Sequence, residues 1–298
     1  MFNTEIYLST FINILIFTVL LIIISVQLFF VWKRRDRNFF LKFLGLVISG
    51  IIYNVVEGLL PDDRFGVNVI SQNICAWIVG LAVALHYFIY IKNEYDLVFF
   101  KRFSLSSIGM FACITLILLF ILPYTMTGSL EISRIFFLSF FLALFILAAI
   151  VVIKQQAIKY KTRKTKVFRF HDIAGIFAFF GLISLPVTIL IFGDDQFIEQ
   201  TSFSVGFFVV AVDFFLYGLR KKEMKKHIPF EKLSVRETEI LKLLLENPNL
   251  KYAEISSMLH ISEKTLSAHL SNIYKKAEIK SKKEIKELSK VYRDSIIA

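Results

Sequence analysis

Long runs of apolar residues, separated by short polar segments, occupy the first 219 residues of the chain. Seven of these runs have about the 17–25 residues that a helix needs to cross the hydrocarbon core of a bilayer. They show no sustained period-two alternation, and isolated strands cannot satisfy their backbone hydrogen bonds in lipid. No soluble layered architecture is uniformly apolar this often. The pattern therefore predicts seven spans, at about residues 8–32, 39–60, 69–91, 103–124, 135–153, 173–192 and 203–219.

The composition agrees with a membrane protein. Of the 298 residues, 56% are hydrophobic and 20% are charged, whereas an average soluble domain has about 45–50% and about 25%. These values exclude a disordered chain and disfavour a purely water-soluble one. Nothing basic precedes the first run, and Glu5 is the only charge among the first ten residues. We therefore interpret that run as a retained span and not as a cleaved signal peptide.

Residues with the potential for redox, metal or catalytic chemistry are sparse. Cys75 and Cys113 lie in apolar runs, and we expect them to be buried packing residues, since two such cysteines form neither a disulfide framework nor a zinc site. The chain has no metal-ligand spacing, nucleophile elbow or glycine-rich phosphate loop. The sequence thus predicts no cofactor, no metal and no enzymatic activity.

The charges between the runs indicate an orientation. Short cytoplasmic loops carry the Lys/Arg excess of a membrane protein, so we place the N-terminus outside the cell and the C-terminal tail in the cytoplasm. The basic segment 154–169 is interpreted as an orientation signal that lies on anionic headgroups, with contact to nucleic acid as the alternative. The outer connections hold Arg64 and the borderline Arg134, whereas the inner ones hold Lys33, Arg34, Arg35, Arg37, Lys92, Lys101, Arg102, Lys154, Lys159, Lys161, Arg163, Lys164, Lys166 and Arg169.

The tail beyond the last span has the pattern of a small helical domain. Residues 220–298 carry a net charge of +7. We divide the chain into a transmembrane domain (1–219), a basic linker (220–232) and a helical domain (233–298). Ser234 and Glu237 form a capping box that opens the first helix, and a turn around Pro248 ends it. A second helix is predicted at about 252–259, a third at 263–277 with Ser262 as its N-cap, and a fourth after a capping box at Ser281 and Glu284.

A short helix, a tight turn at residues 260–262 and a second helix constitute a helix-turn-helix pattern, whose second helix enters the DNA major groove. Leu266, Leu270 and Ile273 have the spacing of a buried face. Small and cationic side chains on the opposite face suit base edges and phosphates. A protein-docking module with a solvated basic face is the alternative. The outward face offers Lys264, Ser267, Ala268, Ser271, Asn272, Lys275 and Lys276.

The tail also resembles the LuxR-type (GerE-like) DNA-binding domain. The matching segments are 233–241 (LSVRETEIL), 254–256 (EIS), 261–273 (ISEKTLSAHLSNI), Lys276 and 279–281 (IKS). The resemblance implies a four-helix bacterial domain that binds double-stranded DNA, usually as a homodimer. The loop between the first two helices is about two residues longer than the family pattern, and Asn249 stands where Gly is usual. Carried over by position, the base-reading residues are Ser267, Ala268 and Ser271, and the backbone-contacting residues are Lys264, Thr265, His269, Lys275 and Lys276.

Polar residues inside the spans are candidates for sensing, because they are expensive in lipid. In the predicted orientation, one group lies near the outer end, where Glu57 provides a counter-charge for a small polar or cationic ligand. At the inner end, His86 and Asp213 are expected to pair and to respond to pH. Interhelical hydrogen bonding is the alternative for both groups. The outer candidates are Asn13, Asn54, Glu57, Gln72 and Asn73, and the inner ones are Gln27, His86 and Asp213.

These features predict an all-α protein, with a seven-helix transmembrane bundle followed by a four-helix LuxR-type helix-turn-helix domain. The leading hypothesis is a membrane-tethered one-component transcription regulator of the bacterial inner membrane that responds to an unidentified small molecule or physical stimulus. A transporter or channel with a regulatory or docking tail is the alternative, and a membrane enzyme of unrecognised chemistry ranks last.

Overall fold

The computed structural model describes residues 6–34, 36–98, 100, 103–163, 165–193, 195–226, 230–277, 279 and 281–292, and in these residues it is all-helical. Of the residues used to predict orientation, Arg35, Lys101, Arg102 and Lys164 lie outside the described residues, as do residues 227–229 of the predicted linker. The chain divides into two units. The first comprises Met1–Leu28 and Phe39–Phe215, and the second comprises Phe29–Asn38 and Leu216–Ala298.

The first unit contains the long apolar helices. Among the described residues, seven segments are long and apolar enough to cross a membrane, which agrees with the predicted number of spans. The fourth span, Leu105–Thr127, is interrupted by a π-helical segment at Ile117–Ile121. The last three spans begin earlier than predicted. The helices are α1 (Leu8–Val31), α2 (Arg37–Leu59), α3 (Val69–Glu94), α4 (Leu105–Leu116), α5 (Leu122–Thr127), α6 (Leu130–Thr162), α7 (Lys166–Phe192) and α8 (Gln196–Phe215).

Helices α7 and α8 pack closely because small residues face each other. A Cβ atom built on Gly181 would lie 2.6 Å from the Cα of Gly206, and one built on Gly206 would lie 2.8 Å from the hydroxyl of Tyr87. That hydroxyl donates a hydrogen bond to the carbonyl of Ala178 at 2.8 Å. Since lipid provides little hydrophobic drive between helices, close backbone approach and interhelical hydrogen bonds stabilise the bundle.

The positions of the two cysteines differ from the prediction that both are buried. Cys75 and Cys113 are both free and exposed on the surface of their helices, and are not buried packing residues as predicted. A helix that is apolar on every side does not reveal from its sequence which face packs against its neighbours.

The second unit contains α9 (Tyr217–Lys226), a 3₁₀ turn at Phe230–Lys232, and α10 (Val235–Glu246), α11 (Tyr252–Met258), α12 (Glu263–Lys276) and α13 (Lys282–Tyr292). Ser234 and Glu237 form the predicted capping box, and Ser262 caps α12 as predicted. At the start of α13, the backbone N–H of Glu284 donates to the Ser281 hydroxyl at 3.4 Å. The predicted inward face of α12 is confirmed. The core of these helices is built from Ile240, Leu241, Leu244, Leu245, Ile255, Leu259, Leu266, Leu270, Ile273, Ala277, Ile279 and Ile285.

Candidate nucleic-acid interface and membrane cavity

The turn between α11 and α12 has a defined backbone path. His260 adopts a positive φ of 51°, a left-handed conformation that reverses the chain after α11. The backbone N–H groups of His260 and Ile261 donate to the carbonyls of Ser257 and Ser256 at 3.2 and 3.0 Å. Ser262 then accepts a hydrogen bond from the N–H of Thr265 at 3.0 Å. The short turn places α12 directly after α11, which is the helix-turn-helix arrangement.

The surface of α12 that faces away from the core is formed by the predicted DNA-contacting residues. These residues are exposed except for His269, which is half-buried and therefore packs partly against the domain. Thr265 is exposed, and its hydroxyl is 2.8 Å from that of Ser262. The exposed positions among the predicted contacts are Lys264, Thr265, Ser267, Ala268, Ser271, Lys275 and Lys276.

Lys276 has an intramolecular partner. Its Nζ donates to Oε2 of Glu237 at 2.8 Å, and the same carboxylate oxygen accepts the backbone N–H of Ser234 at 2.8 Å. The Lys276 ammonium and the Ser234 backbone hydrogen bond hold the pKa of Glu237 below its usual range. The buried carboxylate therefore joins the start of α10 to the end of α12. Within the part of the chain that the structure describes, Lys264 and Lys275 are the exposed lysines of α12 without such a bond.

The outer candidates in the spans have different surroundings. Gln72 fixes the loop before α3, because its side chain bonds the backbone of Asp62 in both directions, at 2.9 and 3.1 Å. Asn54 donates within its own helix to the carbonyl of Gly50 at 2.9 Å. Asn73 donates to the Tyr124 hydroxyl at 3.0 Å. The structure thus brings Glu57 and Asn73 to one cavity and leaves Gln72 in a structural role.

The predicted pair of His86 and Asp213 is not formed. Nδ1 of His171 lies 2.8 Å from Oδ2 of Asp213, which is 1% exposed. His171 preceded the predicted start of span 6 at residue 173, and α7 begins earlier, at Lys166. Glu94, His171 and Asp213 present ligand atoms within 4.8 Å of one another. Imidazole and carboxylate groups at that spacing are able to hold a divalent cation.

A cavity of about 1150 Å³ lies within the first unit. Its lining is mostly apolar and aromatic, and includes Pro186, which lies inside α7. Glu199, Gln196 and Gln200 join Glu57 and Arg134 in the lining. These three residues of α8 were not among the predicted candidates, because they precede the predicted start of the last span at residue 203. Acidic and amide residues at 196–200 directly precede an apolar run, and this pattern could have indicated that the helix begins before residue 203.

Comparison with known proteins identifies the C-terminal unit. Residues 231–288 match the family described as bacterial regulatory proteins, luxR family. No curated protein matches the chain, and no solved structure does. The match covers the capping box at Ser234, the turn at His260 and the exposed face of α12. Residues 231–288 are therefore a LuxR-type helix-turn-helix DNA-binding domain, and the described residues that precede it include seven helices able to span a membrane.

Proposed function

We propose that the protein is a membrane-tethered one-component transcription regulator. The observation that carries this proposal is the exposed surface of α12, which has small side chains at its centre and cations at Lys264 and Lys275. This surface belongs to a LuxR-type domain of a chain with several candidate membrane spans. Ser267, Ala268 and Ser271 contact base edges. Thr265 and His269 contact the DNA backbone together with Lys264 and Lys275, whereas the Lys276 ammonium is bonded to Glu237. Small side chains at the centre allow the helix to approach the floor of the major groove closely.

The membrane domain is proposed as the sensor. The last candidate span, Gln196–Lys221, comprises α8 and the start of α9, and the first helix of the DNA-binding domain begins at Val235. Few residues therefore separate the two in the chain. A stimulus that changes the packing of the spans alters the spacing of two tails in a homodimer, and thereby their fit to two half-sites. Two tails on one dimer have a high mutual effective concentration, so tethering preserves affinity.

The orientation is part of the proposal. The Lys/Arg excess of the first, third and fifth connections supports an outer N-terminus and a cytoplasmic DNA-binding domain in the bacterial inner membrane. Reporter fusions at the two termini test it. A phosphatase active only outside the cytoplasm should be active at the N-terminus and inactive at the C-terminus, and the reverse result contradicts the orientation.

Genome-wide DNA occupancy of the intact protein tests the function. The double substitution Lys264→Ala with Lys275→Ala should remove most occupied sites, because it deletes the two exposed lysines of α12 that are not bonded to Glu237. The matched control is Lys242→Ala with Lys286→Ala, which removes two exposed lysines of α10 and α13 and should leave occupancy unchanged. Unchanged occupancy in the α12 double variant would contradict the assignment of the groove helix.

The cavity in the membrane unit also favours a second candidate function, a transporter or channel with a regulatory tail. In that case solute flux in proteoliposomes should depend on Glu57 in the cavity lining or on Asp213 beside His171. If Glu57→Ala or Asp213→Ala abolishes solute flux and the protein occupies no DNA sites, the transporter or channel hypothesis would replace the regulator hypothesis.

A further inference from the structure

The cavity in the first unit has a polar half and an apolar half. A Cβ atom built on Gly80 would lie 3.1 Å from Oε1 of Glu57, so polar groups of the lining reach α3 at this level. Between Gly80 and the end of α3, the lining residues of this helix are all apolar, namely Leu81, Ala84, Leu85 and Phe88. Phe100, in the loop after α3, also lines the cavity and packs edge-on against Phe88 at 4.9 Å. These residues form an apolar back wall.

The apolar half opens sideways between α4 and α6. The two helices meet at Phe111 and Phe141, whose ring centroids are 6.3 Å apart. Towards the start of α4, residues of both helices line the cavity and are also exposed on the surface of the unit. They are Ser107 on α4, and Leu147 (63% exposed) and Ile150 on α6. Both helices belong to candidate membrane spans, so the opening faces the hydrocarbon of the bilayer.

The opening has the depth of one leaflet. Leu144 of α6 lines the cavity, and from Leu144 to Lys154 the helix rises about 15 Å, which is half of the ~30 Å hydrocarbon core. Lys154 follows Leu147 by seven residues and therefore lies on the same side of α6. Its side chain is exposed. The neighbouring Gln155 accepts a hydrogen bond from the N–H of Val98 at 3.1 Å, which places Lys154 level with the loop between α3 and α4.

A hydrocarbon chain suits this opening better than water or a helix does. Water finds few hydrogen-bond partners on an apolar wall, and an empty slot loses the dispersion contacts of its lining. A helix that crosses the bilayer needs about 20 residues, whereas the opening ends where Phe111 meets Phe141. An acyl chain of the adjacent leaflet matches the depth and the apolarity of the slot. The ammonium of Lys154 on the same side of α6 favours an anionic head group.

We propose that the apolar half of the cavity binds one acyl chain of an anionic phospholipid. The chain enters between α4 and α6 and lies against Ala84 and Phe88, and the phosphate contacts the ammonium of Lys154. A free fatty acid has the same chain and charge, but a lateral opening also lets the second chain of a phospholipid remain in the bilayer. The inference uses the membrane spans alone, so it holds for a regulator and for a transporter.

Photo-crosslinking of the full-length protein in phosphatidylcholine nanodiscs tests the chain site. The probe is a trace of phosphatidylglycerol with a diazirine in mid-chain, and peptide mass spectrometry locates the adducts. We expect adducts at Phe88 and Phe100, with adducts on the exposed face of α1 as the reference for bulk lipid. Ala84→Phe fills the slot and should remove the adducts at Phe88 and Phe100. The matched control is Ala82→Phe, at an exposed alanine of the same helix outside the lining, which should keep them.

A comparison of head groups tests the phosphate contact. Phosphatidylglycerol should give about fivefold more adduct at the back wall than phosphatidylcholine with the same diazirine chain, which is the effect expected of one lysine near an anionic head group. Lys154→Gln should remove this preference, and Lys161→Gln, at another exposed lysine of α6, should keep it. A fatty acid with the same diazirine should give less adduct than phosphatidylglycerol.

The outcomes separate the chain site from the head group. Absence of adducts at the back wall, as expected if a second copy of the protein fills the slot, would overturn the proposal, and so would equal adducts in Ala84→Phe and Ala82→Phe. Equal yields for the two phospholipids, or a higher yield for the fatty acid, would overturn the assignment to an anionic phospholipid. Adduct mapping and the head-group comparison use the unaltered chain, so they test the site even if Ala84→Phe does not fold.

Discussion

Replacing the lysines of α12 one at a time distinguishes cations that meet DNA phosphates from a cation that stabilises the domain. Lys264 and Lys275 are exposed, whereas Nζ of Lys276 is bonded to Glu237 at 2.8 Å. Each lost phosphate contact lowers the slope of log affinity against log salt by about 0.9. This corresponds to about fivefold weaker binding at 0.15 M salt, and to about thirtyfold in a dimer that loses two contacts.

The assay is fluorescence anisotropy of the 228–298 fragment, joined to a dimerising coiled coil, on a duplex of random sequence between 50 and 300 mM salt. Lys264→Ala and Lys275→Ala should each lower the slope by about 1.8 per dimer. Lys276→Met should leave the slope nearly unchanged. The substitution should instead destabilise the domain by no more than about 1 kcal/mol, because the Lys276 side chain is 42% exposed and water screens the ion pair.

The control for non-specific charge loss is Lys242→Ala, an exposed lysine on α10. If Lys276→Met lowers the slope as much as Lys264→Ala does, the bond to Glu237 does not withhold that ammonium from DNA. If Lys264→Ala and Lys275→Ala have no effect on the slope, these two lysines do not contact phosphates.

The remaining predictions concern stability. Because the Lys276 ammonium lowers the pKa of Glu237, the pair stabilises the domain above about pH 4–5 and less as the pH falls through the lowered pKa; thermal melts between pH 3 and 7 should lose this dependence in Glu237→Gln. In the membrane unit, a Cβ on Gly206 would lie 2.8 Å from a tyrosine hydroxyl, so Gly206→Val should lower the aggregation midpoint in detergent, whereas Gly109→Val, in open space, should not. Leu270 is 3% exposed, and Leu270→Ala should cost about 2–5 kcal/mol in urea titrations of the tail; a cost below about 1 kcal/mol would contradict its place in the core.

Local signals in the sequence were sufficient for the DNA-binding domain. The capping box of Ser234 and Glu237 depends on residues three apart, and the buried face of α12 depends on a helical period, so both can be read from neighbouring residues. The engagement of Lys276 by Glu237 joins residues 39 apart in the chain. No short-range pattern distinguishes that lysine from Lys275 beside it.

In the membrane unit, tertiary packing decides most of what the local sequence does not indicate. Length and apolarity predict the number of spans, but a uniformly apolar helix has no polar face to indicate its rotation. The outward positions of Cys75 and Cys113 and the pairing of Asp213 with His171 instead of His86 depend on which helices pack together. Polar residues just before an apolar run, such as His171 and Glu199, also belong to helices that begin earlier than hydropathy indicates.

The π-helical segment Ile117–Ile121 has a consequence for how the fourth span tolerates changes in length. Ala112, Leu116, Phe120 and Tyr124 are buried at intervals of four residues, and in a regular α-helix this interval would rotate the buried face by about 40° per step. The wider π-helical turn at Ile117–Ile121 accommodates one more residue than a regular turn, which offsets this rotation and keeps Tyr124 against Asn73. Deleting one residue within the wide turn would convert it to a regular turn with the same buried face. Elsewhere in the spans, a one-residue deletion would rotate all that follows by about 100°.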